Sequence, residues 1–379
     1  WKGHVKDPDM SGFRQSESDR AKKEAMKMAG MPDMNRNDAV NRLYLTHEED
    51  MPQAVTFRHG LEFIDENHDA DNWFLQIETF DPHEPFFASE RFRQMFPDPD
   101  YTGKEFDWPP YAKVTETPEE AEHCRKRYRA LVAMCDHYLG KVLDAMDRYD
   151  LWKDTLLIVN TDHGFLLGEH GQWAKCHCPF YEEVSHTPLF LWDPRCALEG
   201  QRRKALVQTV DLPATLLEFF GQPLPEDMEG RPLGRTAAED APVRETALFG
   251  LYGGQIGCTD GRFVYLRAPN HPEYPKYEYT LMPTCHTAAR RAFMPDAMLR
   301  GAELSRGFSF TKGMPVLKLK NEKDVSQSHY PTVLYDLARD PAEAAPVEDA
   351  GVQARMEAAM QALMRRNDCP EEVFHRYFG

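Results

Sequence analysis

The chain has 379 residues, 41% hydrophobic and 28% charged, which is enough for a large core plus a smaller one and too apolar for a disordered chain. Its formal net charge of −17 excludes the basic footprint of a nucleic-acid binder. No stretch approaches the run of about 18 apolar residues that spans a membrane, so the expected partners are neither nucleic acid nor membrane, and any anionic ligand must be attracted locally, by a metal or a few cations.

Residues 1–50 are polar and Met-rich and read as surface loops and short helices. A helix is expected over 52–67, with Val55, Leu61, Phe63 and Ile64 as its apolar face. Residues 72–80 then read as a buried strand, ended by the proline-bracketed turn Asp81-Pro82-His83-Glu84-Pro85. After a long aromatic loop, Thr117, Pro118 and Glu120 spell a capping box. The helix it opens has Tyr128, Leu131, Cys135, Tyr138, Leu139, Val142 and Met146 on one stripe.

The apolar run Leu156–Val159 reads as a central parallel strand buried on both faces, leading into Thr161-Asp162-His163-Gly164. A second strand is expected over Thr187–Trp192, followed by a helix capped by Asp211 and stopped at Gly221. This alternation predicts an α/β core with a mainly parallel sheet flanked by helices, over residues 1–235. Beyond the Pro- and Gly-rich segment 225–243, short runs at 246–251, 262–267 and 332–337 and a helix over 351–365 predict a smaller antiparallel sheet plus helix, over 236–379.

Ligands of open α/β sheets bind outside the carboxyl ends of the strands. Two expected strands deliver polar residues there: His83 after 72–80, and Asp162 with His163 after 155–160. Adjacent carboxylate and imidazole suit a divalent cation. Lys175, in GQWAKCHC, offers a second cation for an anionic oxygen. His83 is placed to protonate a departing alkoxide. His170 and His177 are weaker candidates, and His186 reads as a local structural residue. Cys176-His177-Cys178 lacks the second ligand pair of a zinc site. The eight cysteines show no framework spacing, which points to unbridged thiols in a reducing cytoplasm. Aromatic residues at 101–111 and 272–279 line a sugar or aryl pocket or else pack domains together.

The order of these pieces resembles the sulfatase family of the alkaline-phosphatase superfamily. The matching residues are the DPHEPF turn; Tyr128, Val132, Asp136, Leu139, Gly140, Val142 and Leu143; Thr161–Gly164 with Leu167–Gly171; Trp173 and Lys175; Tyr181–Glu183 with Pro188-Leu189; Val210–Leu212 with Thr215–Leu217, Gly230 and Leu233; Thr259–Leu266; and Leu334–Pro341. The resemblance covers roughly 53–365. It implies that Asp162 and His163 ligate one divalent metal, calcium first and manganese or magnesium next. It implies that Lys175 bridges the sulfate and the leaving oxygen, and that His83 contacts the ester oxygen and protonates the leaving group. The implied substrate is a small carbohydrate or aryl sulfate ester, attacked by a metal-bound formylglycine.

This sequence departs from the family at the nucleophile. No cysteine or serine stands in a C/S-x-P-x-R context, and the paired aspartates of the first strand have no counterpart, so both are expected upstream of Trp1. The opening WKGHVKDPDMSG is not a signal peptide, and a signal further upstream stays open. His186 stands where many members have Arg. Two other readings are carried forward: a phosphonate monoester or phosphodiester hydrolase on the same core, and a catalytically silent fragment or binding module.

Overall fold

A computed structural model describes residues 17–28, 33–282, 284–285, 292–293, 299–321 and 329–379. Its packing divides into two compact units: residues 1–109, 115–151 and 284–294 in one, and 110–114, 152–283 and 295–379 in the other.

The first unit is mainly helical, with one short antiparallel strand pair, Thr284–Cys285 against Ala292–Phe293. Helices α1 (Glu17–Met28) and α2 (Asp33–Arg42) precede α3 (Pro52–Asn67) and the long α4 (Pro118–Arg148). The capping box forms as expected: the Thr117 hydroxyl accepts from the Glu120 amide, and the Glu120 carboxylate accepts from the Thr117 amide. Helix α3 has the expected bounds, but its buried side is Gln53, Ala54, Phe57, Gly60 and Ile64. The Phe57 ring meets Tyr138 of α4, with centroids 5.7 Å apart. Of the expected α4 stripe, Leu131, Tyr138, Val142 and Met146 are buried, beside Ala130 and Met134.

Residues 73–80 are extended, but no strand is assigned there. Trp73, Leu75, Ile77 and Thr79 are half-buried, while Phe74 and Phe80 face solvent at 57% and 40% exposure. The expectation of a buried strand is corrected to an extended segment with one packed face. Its inward Ile77 is seated over Gly60, where an added Cβ would lie 2.5 Å from Ile77 Cδ1.

The second unit holds the other sheets. Strand β1 (Leu157–Asn160) leads to a small hairpin, β2 (Leu166–Leu167) and β3 (Trp173–Ala174). A single turn of helix, α5 (Glu182–Ser185), precedes β4 (Leu189–Trp192). Strand β4 pairs with β1 antiparallel, Ile158 opposite Leu191. All the strand pairs of the described residues run antiparallel. The expectation of a mainly parallel sheet is therefore not met among them. Residues 157–159 are half-buried rather than buried on both faces. A short apolar run carries no mark of its partner's direction, and it was burial on both faces that argued for parallel neighbours.

Helix α6 (Asp211–Phe219) follows, stopped by Gly221 at φ +64°. Asp211 is its first residue rather than its cap. The carboxylate, fully buried, accepts from the amides of Gln208 and Arg231 at 2.8 and 2.9 Å and pairs with both Nη atoms of Arg244 at 2.5 Å.

The expected smaller sheet is present as four antiparallel strands: β5 (Ala247–Gly250), β6 (Ile256–Thr259), β7 (Phe263–Arg267) and, after β8 (Lys276–Thr280), β9 (Glu303–Ser305) and β10 (Val316–Asn321), the outer strand β11 (Val333–Asp336). Strands β8, β9 and β10 form a separate three-stranded sheet. Helix α7 (Ala350–Arg366) lays Met356, Met360 and Met364 on Cys258, Tyr265 and Leu334 of the four-stranded sheet. Helix α8 (Glu371–Phe378) closes the chain. No described helix is long and apolar enough to cross a membrane.

Candidate active site

The second unit brings three of the four expected site residues onto neighbouring pieces of chain. Beyond β1 the chain turns at Asp162 and His163, and the Asp162 carboxylate accepts from the His163 amide at 2.9 Å. Its other oxygen lies 3.4 Å from His163 Nε2. The imidazole Nδ1–H donates to Gly164 O at 2.9 Å, which fixes the ring's orientation. Asp162 is 81% exposed and His163 37%, so both donor atoms face a region open to solutes.

Gly164 is demanded by packing. Its amide donates to Val184 O at 2.9 Å, and an added Cβ would lie only 1.8 Å from Glu183 O. A methyl group there must push two backbone segments apart. Gly164→Ala is therefore expected to destabilise the protein by about 1–3 kcal/mol, as overpacking does, and to loosen the Asp162–His163 turn. A urea midpoint unchanged from wild type would contradict this.

The β2–β3 hairpin then doubles the chain back. Its register, Leu166 opposite Ala174, carries Lys175 alongside Phe165, and the Lys175 ammonium stands 5.9 Å from the Phe165 ring centroid. The loop needs several left-handed residues, among them Gly168 at φ +108°, His170 at +54° and Gly171 at +66°. Lys175 is only 7% exposed, between Ala174 and Cys176, both at positive φ. Among the described residues no carboxylate pairs with it. A largely buried lysine with no carboxylate beside it among the described residues leaves its charge available to an incoming anion.

His83 belongs to the other unit. A turn closed by its amide on Phe80 O (3.1 Å) places it after the extended segment, within the two cis X-Pro bonds at Pro82 and Pro85. Its Nδ1 lies 2.6 Å from Glu84 O and 3.2 Å from the buried Glu84 carboxylate, and its ring leans on Phe80 at 4.3 Å. The hydrogen bond from Nδ1–H to Glu84 O orients the ring and leaves Nε2 directed elsewhere, with the Glu84 carboxylate as a nearby charge.

The weaker candidates have structural partners. His170 stacks on Tyr181 at 3.6 Å and reaches Glu183 at 3.2 Å. His177 Nε2–H donates to Trp173 O at 2.7 Å. His186 is mostly exposed, and its hydrogen bond to Glu182 at 2.7 Å raises its pKa above the ordinary histidine value. Burial pushes the Cys178 thiol up to about 12, the opposite of what a metal-binding thiolate needs. The described cysteines form no disulfide. The aromatic residues of 272–279 contribute Tyr277 and Tyr279 to a cleft of about 350 Å³ beside Tyr252 and Tyr377.

As a cation site, Asp162 and His163 supply one hard oxygen and one imidazole nitrogen, a donor pair that fits a divalent metal. No group of three or more His, Cys, Asp or Glu side chains able to hold a metal occurs among the described residues. The pair is thus a two-donor half-site. Sequence reasoning overlooked Glu343, a buried acid behind this site. Its only sequence signal is its place two residues after the Asp340-Pro341 turn.

The family model described as Sulfatase matches residues 11–222. Arylsulfatase K of Homo sapiens is 30% identical over 165 residues, covering 42% of this chain and 30% of that protein. A protein described as Sulfatase from Formosa agariphila is 27% identical over 221 residues, covering 54% of this chain and 43% of that protein. The chain thus spans less than half the length of these relatives. A phosphonate monoester hydrolase of Silicibacter pomeroyi superposes with a TM-score of 0.56 at 20% identity, over 85% of this chain and 61% of that one. At this identity the likeness shows a common α/β fold.

Proposed function

This chain belongs to the sulfatase family, and from that premise we propose that it serves a sulfuric ester hydrolase acting on a carbohydrate or aryl sulfate ester. The observation that carries the reading is Lys175, a largely buried lysine with no carboxylate partner among the described residues, which follows a carboxylate–imidazole pair by one hairpin of chain. In this reading Asp162 and His163 hold a divalent cation, calcium by family expectation. Bound there, the cation supplies positive charge to the ester's non-bridging oxygens. Lys175 holds the anionic group and the bridging oxygen. His83 delivers a proton to the leaving alcohol, with Glu84 orienting its ring. A formylglycine is the nucleophile by family expectation, and no C/S-x-P-x-R motif for it occurs among these 379 residues.

Rates on paired substrates test the reaction class. Faster turnover of a nitrophenyl sulfate than of the matching phosphonate monoester supports the sulfatase reading, and the reverse supports the phosphonate hydrolase. Saturable sulfate binding without turnover of either ester identifies a binding module. For the acid role, His83→Ala is expected to depress rates on alkyl sulfates by about 10²-fold or more, while nitrophenyl esters, whose leaving groups need no proton, lose far less. Equal losses on both would remove His83 from that role.

A further inference from the structure

The loop that follows β11 carries a carboxylate into the rear of the metal half-site. Glu343 is 2% exposed and adopts φ +48°, a conformation uncommon for a residue with a side chain. Its Oε2 accepts from the amide of Glu182 at 2.7 Å. Its Oε1 is buried without a hydrogen-bond partner among the described residues. A backbone held in the left-handed region, and a carboxyl oxygen kept from water, both cost stability, so a specific contact must hold them there.

That contact leads to the site in two further steps. The Glu182 amide opens α5, whose Val184 is buried against Leu166 and Cys178. Val184 O in turn accepts the Gly164 amide at 2.9 Å, and the Gly164 Cα rests on Glu183 O. Gly164 directly follows the Asp162–His163 pair, and His163 Nδ1–H donates to its carbonyl. The far end of the clamp is itself anchored: Asp336, at the end of β11, pairs with Arg262 at 2.9 Å and accepts backbone amides of the same loop.

We propose that Glu343 is a positioning residue which, through the Glu182 amide and the Val184 carbonyl, holds the Asp162–His163 turn in the geometry that binds the cation. The cation role rests on the reading under Proposed function; the clamp itself does not. Its surroundings are acidic or phenolic: Glu182 and Glu183 from α5, Asp340 from its own loop, Tyr335 from β11 and Tyr181 before α5. Burial first, and then these carboxylates, raise the Glu343 pKa to about 7. Two histidines titrate against the same helix, His170 on Glu183 and His186 on Glu182, and both are present in every Glu343 variant.

The test uses the whole chain with Glu343→Ala and Glu343→Gln. Glutamine keeps an oxygen for the Glu182 amide, whereas alanine does not. In the alanine variant the hydrogen-exchange protection of the Gly164 amide, and the affinity for Mn²⁺ or Ca²⁺ measured by calorimetry, should each fall at least tenfold; the glutamine variant should stay within about threefold of wild type. A raised pKa means that Glu343 stabilises the fold below its unfolded-state value and that this contribution is lost as pH rises through about 7. The ratio of folding constants, wild type over the glutamine variant, should therefore fall at least tenfold from pH 5 to pH 8. Unchanged Gly164 protection in the alanine variant, glutamine failing as badly as alanine, or a flat pH ratio each overturns the proposal. If the alanine variant does not fold, the glutamine variant and the pH series decide. Wild-type chain that protects Gly164 yet binds neither cation overturns the metal reading and leaves the clamp standing.

Discussion

Lys175→Met should lower kcat/KM for a sulfate ester by about 10²–10³-fold, the loss typical of removing one preorganised charge-stabilising group, and weaken inorganic sulfate at least tenfold. The reasoning starts from position. Lys175 is carried by a hairpin whose register is set by Leu166 opposite Ala174 and Leu167 opposite Trp173, with Leu166, Trp173 and Ala174 completely buried. The lysine stem is thus held on a rigid base, while among the described residues its ammonium has no carboxylate partner and stands 5.9 Å from the Phe165 ring centroid. A group retained for the fold would lose stability on substitution. A charge kept for an incoming anion should not, so Lys175→Met is expected to match or exceed the wild-type melting temperature. Melting curves and sulfate calorimetry on the same samples check both halves. A variant that melts early while binding sulfate normally would mark Lys175 as structural.

Arg244→Ala should destabilise the protein by about 3–5 kcal/mol, the range for removing one partner of a buried ion pair. Asp211 has no exposure, and Arg244 meets it with two parallel hydrogen bonds. Alanine would leave the carboxylate buried with only the amides of Gln208 and Arg231. Two more buried contacts ride on this corner: Thr215 donates to Asp211 O and accepts from the Leu233 amide. Replacing both partners, Asp211→Asn with Arg244→Met, should cost less than Arg244→Ala alone, because no unpaired charge remains. Urea unfolding measures both. A loss below about 1 kcal/mol for Arg244→Ala would show that water reaches the carboxylate.

Much of the candidate site is readable because it is local. Asp162 and His163 are adjacent in sequence, their turn follows directly from a recognisable strand, and Lys175 lies within one hairpin of them. Glu343 could not be read in this way. A glutamate in a polar loop is ordinarily exposed, and its burial depends on a helix that starts 161 residues earlier. Nothing in the neighbouring letters encodes that meeting.

The same division runs through the fold. The sequence by itself determined the features set within a few residues: the Thr117–Glu120 capping box, the span of α3, the methionine stripe of α7 and the family motifs in order. Only the tertiary structure decided which strands pair and in which direction, because an apolar run such as Leu157–Val159 is equally satisfied by a parallel or an antiparallel neighbour. It also decided that 73–80 bury one face only, and that Asp211 answers Arg244 rather than capping a helix. Capping and periodicity are local hydrogen-bond and packing rules, whereas strand direction and the burial of a charge are settled by whichever distant segment arrives to satisfy them.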